Sequence, residues 1–205
     1  MKINLKELSI AYINLPTYPN RNQSMINMLE YYGLNFSRIE GVLHNGGYGI
    51  PWAHLNALNS GADLILEDDC VPYEYREEFT VPDDADVVFL GISAGTTKKF
   101  SPKYKKINEE IYRLYDMTGL HAVLYLTEAG RKWLRKAHSR AVKEGVGMDT
   151  STAQSLGNIK AYGLNRPIWY QKDLKGVTGI TLDEALSFDE YDGGGFEDYK
   201  EPLIY

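Results

Sequence analysis

The 205-residue chain has one cysteine, Cys70. Neither an intrachain disulfide framework nor a cysteine-based zinc cluster is open to it. No run of eighteen apolar residues occurs, which argues against a membrane-spanning helix. The opening residues, Met1-Lys2-Ile3-Asn4-Leu5-Lys6, lack the apolar stretch of a secretion signal. With the lone cysteine, this predicts a reducing, cytoplasmic setting. No segment matches a P-loop or a dinucleotide fingerprint, although Gly46-Gly47-Tyr48-Gly49 would let a backbone approach a ligand closely. No histidine follows His138, no lysine lies between Lys6 and Lys98, and no internal repeat is present.

Apolar residues make up 43% of the chain, enough for a real core at this length. Charge is unevenly distributed. Residues 1–85 carry five basic and twelve acidic side chains, residues 86–148 carry twelve and six, and residues 149–205 carry five and ten. A basic middle between acidic flanks fits an anionic ligand near the centre; solvated helix faces give the same pattern.

Strands and helices alternate. Leu8–Leu15 reads as a buried strand, stopped by Pro16 and Pro19. A helix is predicted over Arg21–Tyr32, with Gly33 as its cap. Phe36–Val42 is the second strand. A helix from Pro51 shows Trp52, Leu55 and Leu58 on one face. Asp63–Leu66 and Val87–Leu90 are almost wholly apolar, as in strands buried on both sides. Residues 92–108, with five lysines, read as a long loop of the kind that serves as a lid or binding loop. Strands follow at Ile111–Tyr115 and His121–Leu126. Thr127 caps a helix whose apolar face is Ala129, Trp133, Ala137 and Ala141. A short helix over Thr150–Leu156 and strands at Ile159–Tyr162 and Ile168–Gln171 complete the pattern. The expected architecture is an α/β fold with a mostly parallel central sheet in a single domain over residues 1–182. Residues 183–205, with eight acidic side chains and one lysine, form a separate acidic tail.

The chemistry concentrates at Leu66-Glu67-Asp68-Asp69. Three adjacent carboxylates repel one another, so their juxtaposition calls for a cation. Ligands of α/β sheets bind beyond the carboxyl ends of strands. Mg²⁺ or Mn²⁺ bridging a diphosphate is the physical reading; a surface turn whose acids face water is the alternative. Asp149, after Gly145-Val146-Gly147-Met148, is the candidate general base, ahead of Asp116; an N-cap of the helix at Thr150 would equally explain it. His54 either orients the acidic motif or is a satisfied helix histidine. His121 reads as structural, and His44 as exposed. Trp52 and Tyr48 are candidates for stacking on a ligand.

Four ordered blocks then resemble glycosyltransferase family 25, the lipopolysaccharide and collagen galactosyltransferase-like group. They are Tyr12-Ile13-Asn14-Leu15 with Arg21, then Trp52-Ala53-His54-Leu55, then Leu66-Glu67-Asp68-Asp69, and finally Thr118-Gly119 through Trp133 to Asp149. The resemblance implies a GT-A-like, Rossmann-type fold. It also implies a Mn²⁺- or Mg²⁺-dependent hexosyl transfer from a UDP-sugar, UDP-galactose or UDP-glucose, to a hydroxyl acceptor such as a glycan, with inversion. By the same resemblance Asp69 ligates the metal with Asp68 beside it, Glu67 supports the motif, and Asn14 and Arg21 lie near the nucleotide. Ala53 stands where the family has serine before the histidine, and Pro51-Trp52 replaces its small residues.

Two other functions fit part of the pattern. One is a nucleotide-sugar or glycan-binding module without turnover; the other is a transferase acting on a modified DNA base. The pI near 5.3 argues against strong duplex binding. A carboxylate-metal nuclease would place a lysine near the acidic pair, and none is there in sequence.

Overall fold

The structure is a computed structural model that describes residues 1–42, 49–91 and 103–171. In chain order its elements are β1 (Lys2–Asn4), β2 (Ile10–Asn14), α1 (Pro19–Tyr31), β3 (Phe36–Glu40), α2 (Gly49–Asn59), β4 (Leu64–Glu67), β5 (Cys70–Pro72), β6 (Glu78–Thr80), β7 (Val87–Phe89), β8 (Lys103–Lys106), β9 (Ile111–Asp116), β10 (Ala122–Tyr125), α3 (Glu128–Glu144), α4 (Met148–Ala153), β11 (Ala161–Leu164) and β12 (Trp169–Gln171).

Eight strands form one sheet in the order β3-β2-β4-β10-β7-β11-β9-β8, and two small ladders, β1-β6 and β5-β12, lie apart from it. The pairings β2-β3, β2-β4 and β7-β11 are parallel, and the other four are antiparallel. Six of the eight strands therefore share one direction, and β9 and β10 run against them. The mostly parallel expectation holds for strand direction, but the sheet is mixed. Local composition does not encode strand polarity, so the two reversed strands are invisible until their neighbours are known.

The sheet is buried on both faces because successive side chains alternate across it. Leu64, Leu66, Val88 and Leu124 join one apolar cluster with Met25, Met28 and Leu29 of α1. Ile65, Val87, Phe89 and Val123 join the other with Leu58 of α2 and Trp133, Leu134 and Ala137 of α3. Helix α3 begins where expected: the Thr127 hydroxyl accepts from the Gly130 N–H at 3.2 Å, and the helix ends at Gly145.

Three expectations are corrected. Helix α1 starts at Pro19 rather than Arg21, with the proline in the first turn, where its missing N–H costs nothing. The buried face of α2 is Ala53, His54, Ala57 and Leu58, while Trp52 faces outward. Lys103, Lys105 and Lys106 belong to β8, not to a loop; this strand pairs only with β9 at the sheet edge, and lysines discourage further pairing there. Lys98, Lys99, His44, the Gly46–Gly49 loop except Gly49, and the acidic tail lie outside the described residues.

Candidate functional site

Parallel pairing of β2 with β4 sets Ile13 opposite Glu67. The two strands thus end side by side, and Asn14, Glu67, Asp68 and Asp69 gather at their carboxyl ends, where α/β sheets bind ligands. Each carboxylate has a partner of its own, and Asp68 and Asp69 share Arg21.

Asp68 is the most tightly held. Asn14 Nδ2 donates to its Oδ2 at 2.6 Å and Arg21 Nη1 to its Oδ1 at 3.1 Å. Asn14 is buried and fully used: Nδ2 also reaches the Tyr18 carbonyl at 3.2 Å, and Oδ1 accepts from Arg38 Nε at 3.2 Å. Arg21 comes from the first turn of α1 and lies 5.0 Å from the Tyr18 ring centroid, a cation–π distance.

Glu67 pairs with His54, whose Nε2 donates to Glu67 Oε1 at 3.0 Å. The histidine is buried on α2 and its Nδ1 has no hydrogen-bond partner. Burial pushes the Glu67 carboxyl up, but the His54 hydrogen bond and charge, with Arg21 nearby, outweigh it and hold it below the ordinary value.

Asp69 is held at one oxygen only. Gln171 Nε2 donates to its Oδ2 at 3.0 Å, and Arg21 Nη1 lies 3.7 Å from the same atom. Oδ1 is buried with no hydrogen-bond partner. Burial, and then the Glu67 charge, raise this carboxyl to about 6. Protein groups thus relieve part of the repulsion within the triplet. Glu67 Oε1 and both Asp68 oxygens have protein partners, and Asp69 Oδ1 is the motif oxygen that is buried without one among the described residues.

Asp149 sits in the first turn of α4, whose N-cap is Gly147; the capping alternative is set aside. The residue is exposed, yet protein crowds its carboxyl. Desolvation, followed by the charge of Glu67, raises it to about 6 against the pull of His54 and of a hydrogen bond from the Gly119 N–H. Gly119 has φ +100, a conformation that favours glycine. Asp116 is elsewhere. It ends β9 at the edge of the sheet where β7 and β11 begin, opposite Lys103.

His121 packs beneath the motif. Its carbonyl accepts from the Glu67 N–H at 2.9 Å and from Cys70 Sγ at 2.6 Å. Its ring is buried without a hydrogen-bond partner, and burial drops its pKa to about 4. The ring lies so close to Gly91 that a Cβ there would collide with both His121 Nε2 and the Trp169 carbonyl. The Cys70 thiol is buried and pushed well up, which makes it inert.

Seven of the sequence-derived candidates, Asn14, Arg21, His54, Glu67, Asp68, Asp69 and Asp149, therefore fall in one neighbourhood, and Asp116 does not. Trp52 does not point at the motif; its ring packs edge-on against His138 at 4.6 Å. Sequence reasoning missed Gln171, Arg38 and the Gly119 N–H. Arg38 carried a signal, being a charged residue inside a predicted strand. Gln171 and Gly119 carried none as partners of these particular carboxylates. Two cavities of about 530 and 770 Å³ lie away from this cluster, one along α3 beside Trp133 and one beside Phe79 and Ile111.

No family model matches the sequence, and no curated protein matches it. Solved structures do. The crystal structure of apo UDP-glucose pyrophosphorylase is 10% identical, with a TM-score of 0.50 over 80% of this chain and 76% of that one. The likeness is one of fold. A197 from STIV is 17% identical, with a TM-score of 0.44 over 79% and 83%. No helix among the described residues is long and apolar enough to cross a membrane.

The residues suit a divalent cation in one respect and not in another. No group of three or more His, Cys, Asp or Glu converges on a ready-made cage among the described residues. The orphaned Asp69 Oδ1 is a hard oxygen donor in want of a partner, which Mg²⁺ or Mn²⁺ prefers, with phosphate oxygens and waters filling the remaining positions.

Proposed function

We propose that the chain is a metal-dependent hexosyltransferase of GT-A-like fold, using a UDP-sugar donor and a hydroxyl acceptor, in keeping with its resemblance to glycosyltransferase family 25. The observation that supports this most is the bare, buried Asp69 Oδ1 at the carboxyl end of β4, within a network that immobilises its neighbours. The fold likeness to a pyrophosphorylase whose name includes UDP-glucose supports a nucleotide-sugar as the ligand class.

Asp69 would hold the cation, Mn²⁺ or Mg²⁺, which neutralises a diphosphate leaving group when bound. Asn14, Arg21 and Asp68 would form the rim on the donor side, where the Arg21 guanidinium, paired with Asp68 and Asp69, would add positive charge near the diphosphate oxygens. His54 fixes Glu67 and so keeps the motif from rearranging. Asp149, raised to about 6, accepts the proton of the attacking hydroxyl; a base works best with a pKa near the operating pH. Inversion follows from attack opposite the leaving group.

A thermal-shift series with UDP-, GDP- and CMP-sugars, each with and without Mn²⁺, tests the reading. A Mn²⁺-dependent rise with UDP-sugars alone is the expected result. No shift with any nucleotide overturns it. A shift without detectable transfer to any hydroxyl acceptor favours a binding module instead.

A further inference from the structure

We infer that Gln171 is a positioning residue that keeps Asp69 open to a divalent cation. The inference rests on the proposed metal-dependent reading and adds a residue to it. Pairing of β12 with β5 sets Gln171 opposite Cys70, the residue after Asp69, and brings its amide within 3.0 Å of Asp69 Oδ2. Arg21 approaches that same oxygen, at 3.7 Å. Both neighbours thus engage Oδ2, and Oδ1 is left bare and buried.

The choice of an amide matters. It fixes the carboxylate with a hydrogen bond but brings no net charge, so the negative charge stays available. An ammonium in its place would supply the same hydrogen bond and neutralise the site. Without any donor at 171, the carboxylate is free to close on Arg21, already 3.7 Å away, and the tightened ion pair competes with the cation. Asp68 behaves differently: both of its oxygens are already taken, by Asn14 and Arg21. Loss of a group that hydrogen-bonds a metal-ligating side chain typically changes metal affinity by about 10–100-fold.

The test is calorimetric titration of the full chain with MnCl₂, alongside melting temperatures. Gln171→Met is expected to weaken Mn²⁺ binding by about tenfold. Gln171→Lys is expected to weaken it further while the melting temperature holds or rises, because the new ammonium pairs with Asp69. A merely structural hydrogen bond predicts the opposite, rescue by lysine. Wild-type affinity in both variants overturns the role of Gln171 and leaves the metal-dependent reading standing. Absence of Mn²⁺ binding by the unmodified chain, with or without UDP, overturns both. If Gln171→Met does not fold, Gln171→Lys decides.

Discussion

The acidic motif and helix α3 are both rich in charge, and the fold treats them in opposite ways. Asp68 and Asp69 keep only 11% and 12% of their side-chain surface, and each answers to named partners on distant parts of the chain. On α3, Arg135 pairs with Glu128 and Arg140 with Glu144, at side-chain exposures between 39% and 59%. A charge in water is already solvated and gains little from a neighbour. A charge out of water has to be matched almost atom by atom. Charge density along a sequence therefore says little about function until desolvation is known, and here it singles out the carboxylates and leaves most of the basic helix as surface.

Substitutions can break that contrast, beginning with the largest effect. On the proposed reading, Asp69→Ala removes the buried motif oxygen that has no hydrogen-bond partner, and hexosyl transfer from a UDP-sugar is expected to fall by about a hundredfold or more, with melting temperature little changed; a radiolabelled-donor assay measures it. His54→Leu leaves Glu67 without its hydrogen bond and should cost roughly 2–4 kcal/mol in urea unfolding. Asn14→Leu strips Asp68 Oδ2 and the Arg38 guanidinium of a partner, for about 1–3 kcal/mol by the same measurement. Arg140→Ala, on the solvated side of the comparison, should change stability by less than about 0.5 kcal/mol. A loss there as large as at Asn14 would erase the distinction.

The pH dependence sharpens it. The Asp149 carboxyl is raised in the fold to about 6 from an ordinary 3.8, so the native state holds its proton more tightly than the unfolded chain does. The stability this contributes is complete below about pH 4 and is lost as pH rises through 6. Asp149→Asn is expected to gain in melting temperature relative to the parent between pH 4 and pH 6.5, and to abolish a rise in transfer rate over the same interval.

Much of this was legible beforehand because it is written locally. An all-apolar Leu64-Ile65-Leu66 running into three acids announces a buried strand with a polar end. The Thr127 cap and the spacing of Trp133, Ala137 and Ala141 announce α3. What was not legible depends on distant partners. The Lys103-Tyr104-Lys105-Lys106 run has no apolar alternation, and only its pairing with β9 makes it a strand. The outward turn of Trp52 follows from α2 burying alanines and a histidine, choices that hydrophobicity alone ranks below tryptophan. The acidic triplet is self-repelling in one dimension, and its partners His54, Arg21, Asn14 and Gln171 reach it only in three.

Gly91 connects this network to a remote lever. It closes the space in which the His121 ring meets the Trp169 carbonyl, and Trp169 begins the strand that ends in Gln171. A single added methyl group there meets both that strand and the His121 ring. The space kept clear at Gly91 therefore bears on one end of a three-residue strand whose other end places the amide against Asp69.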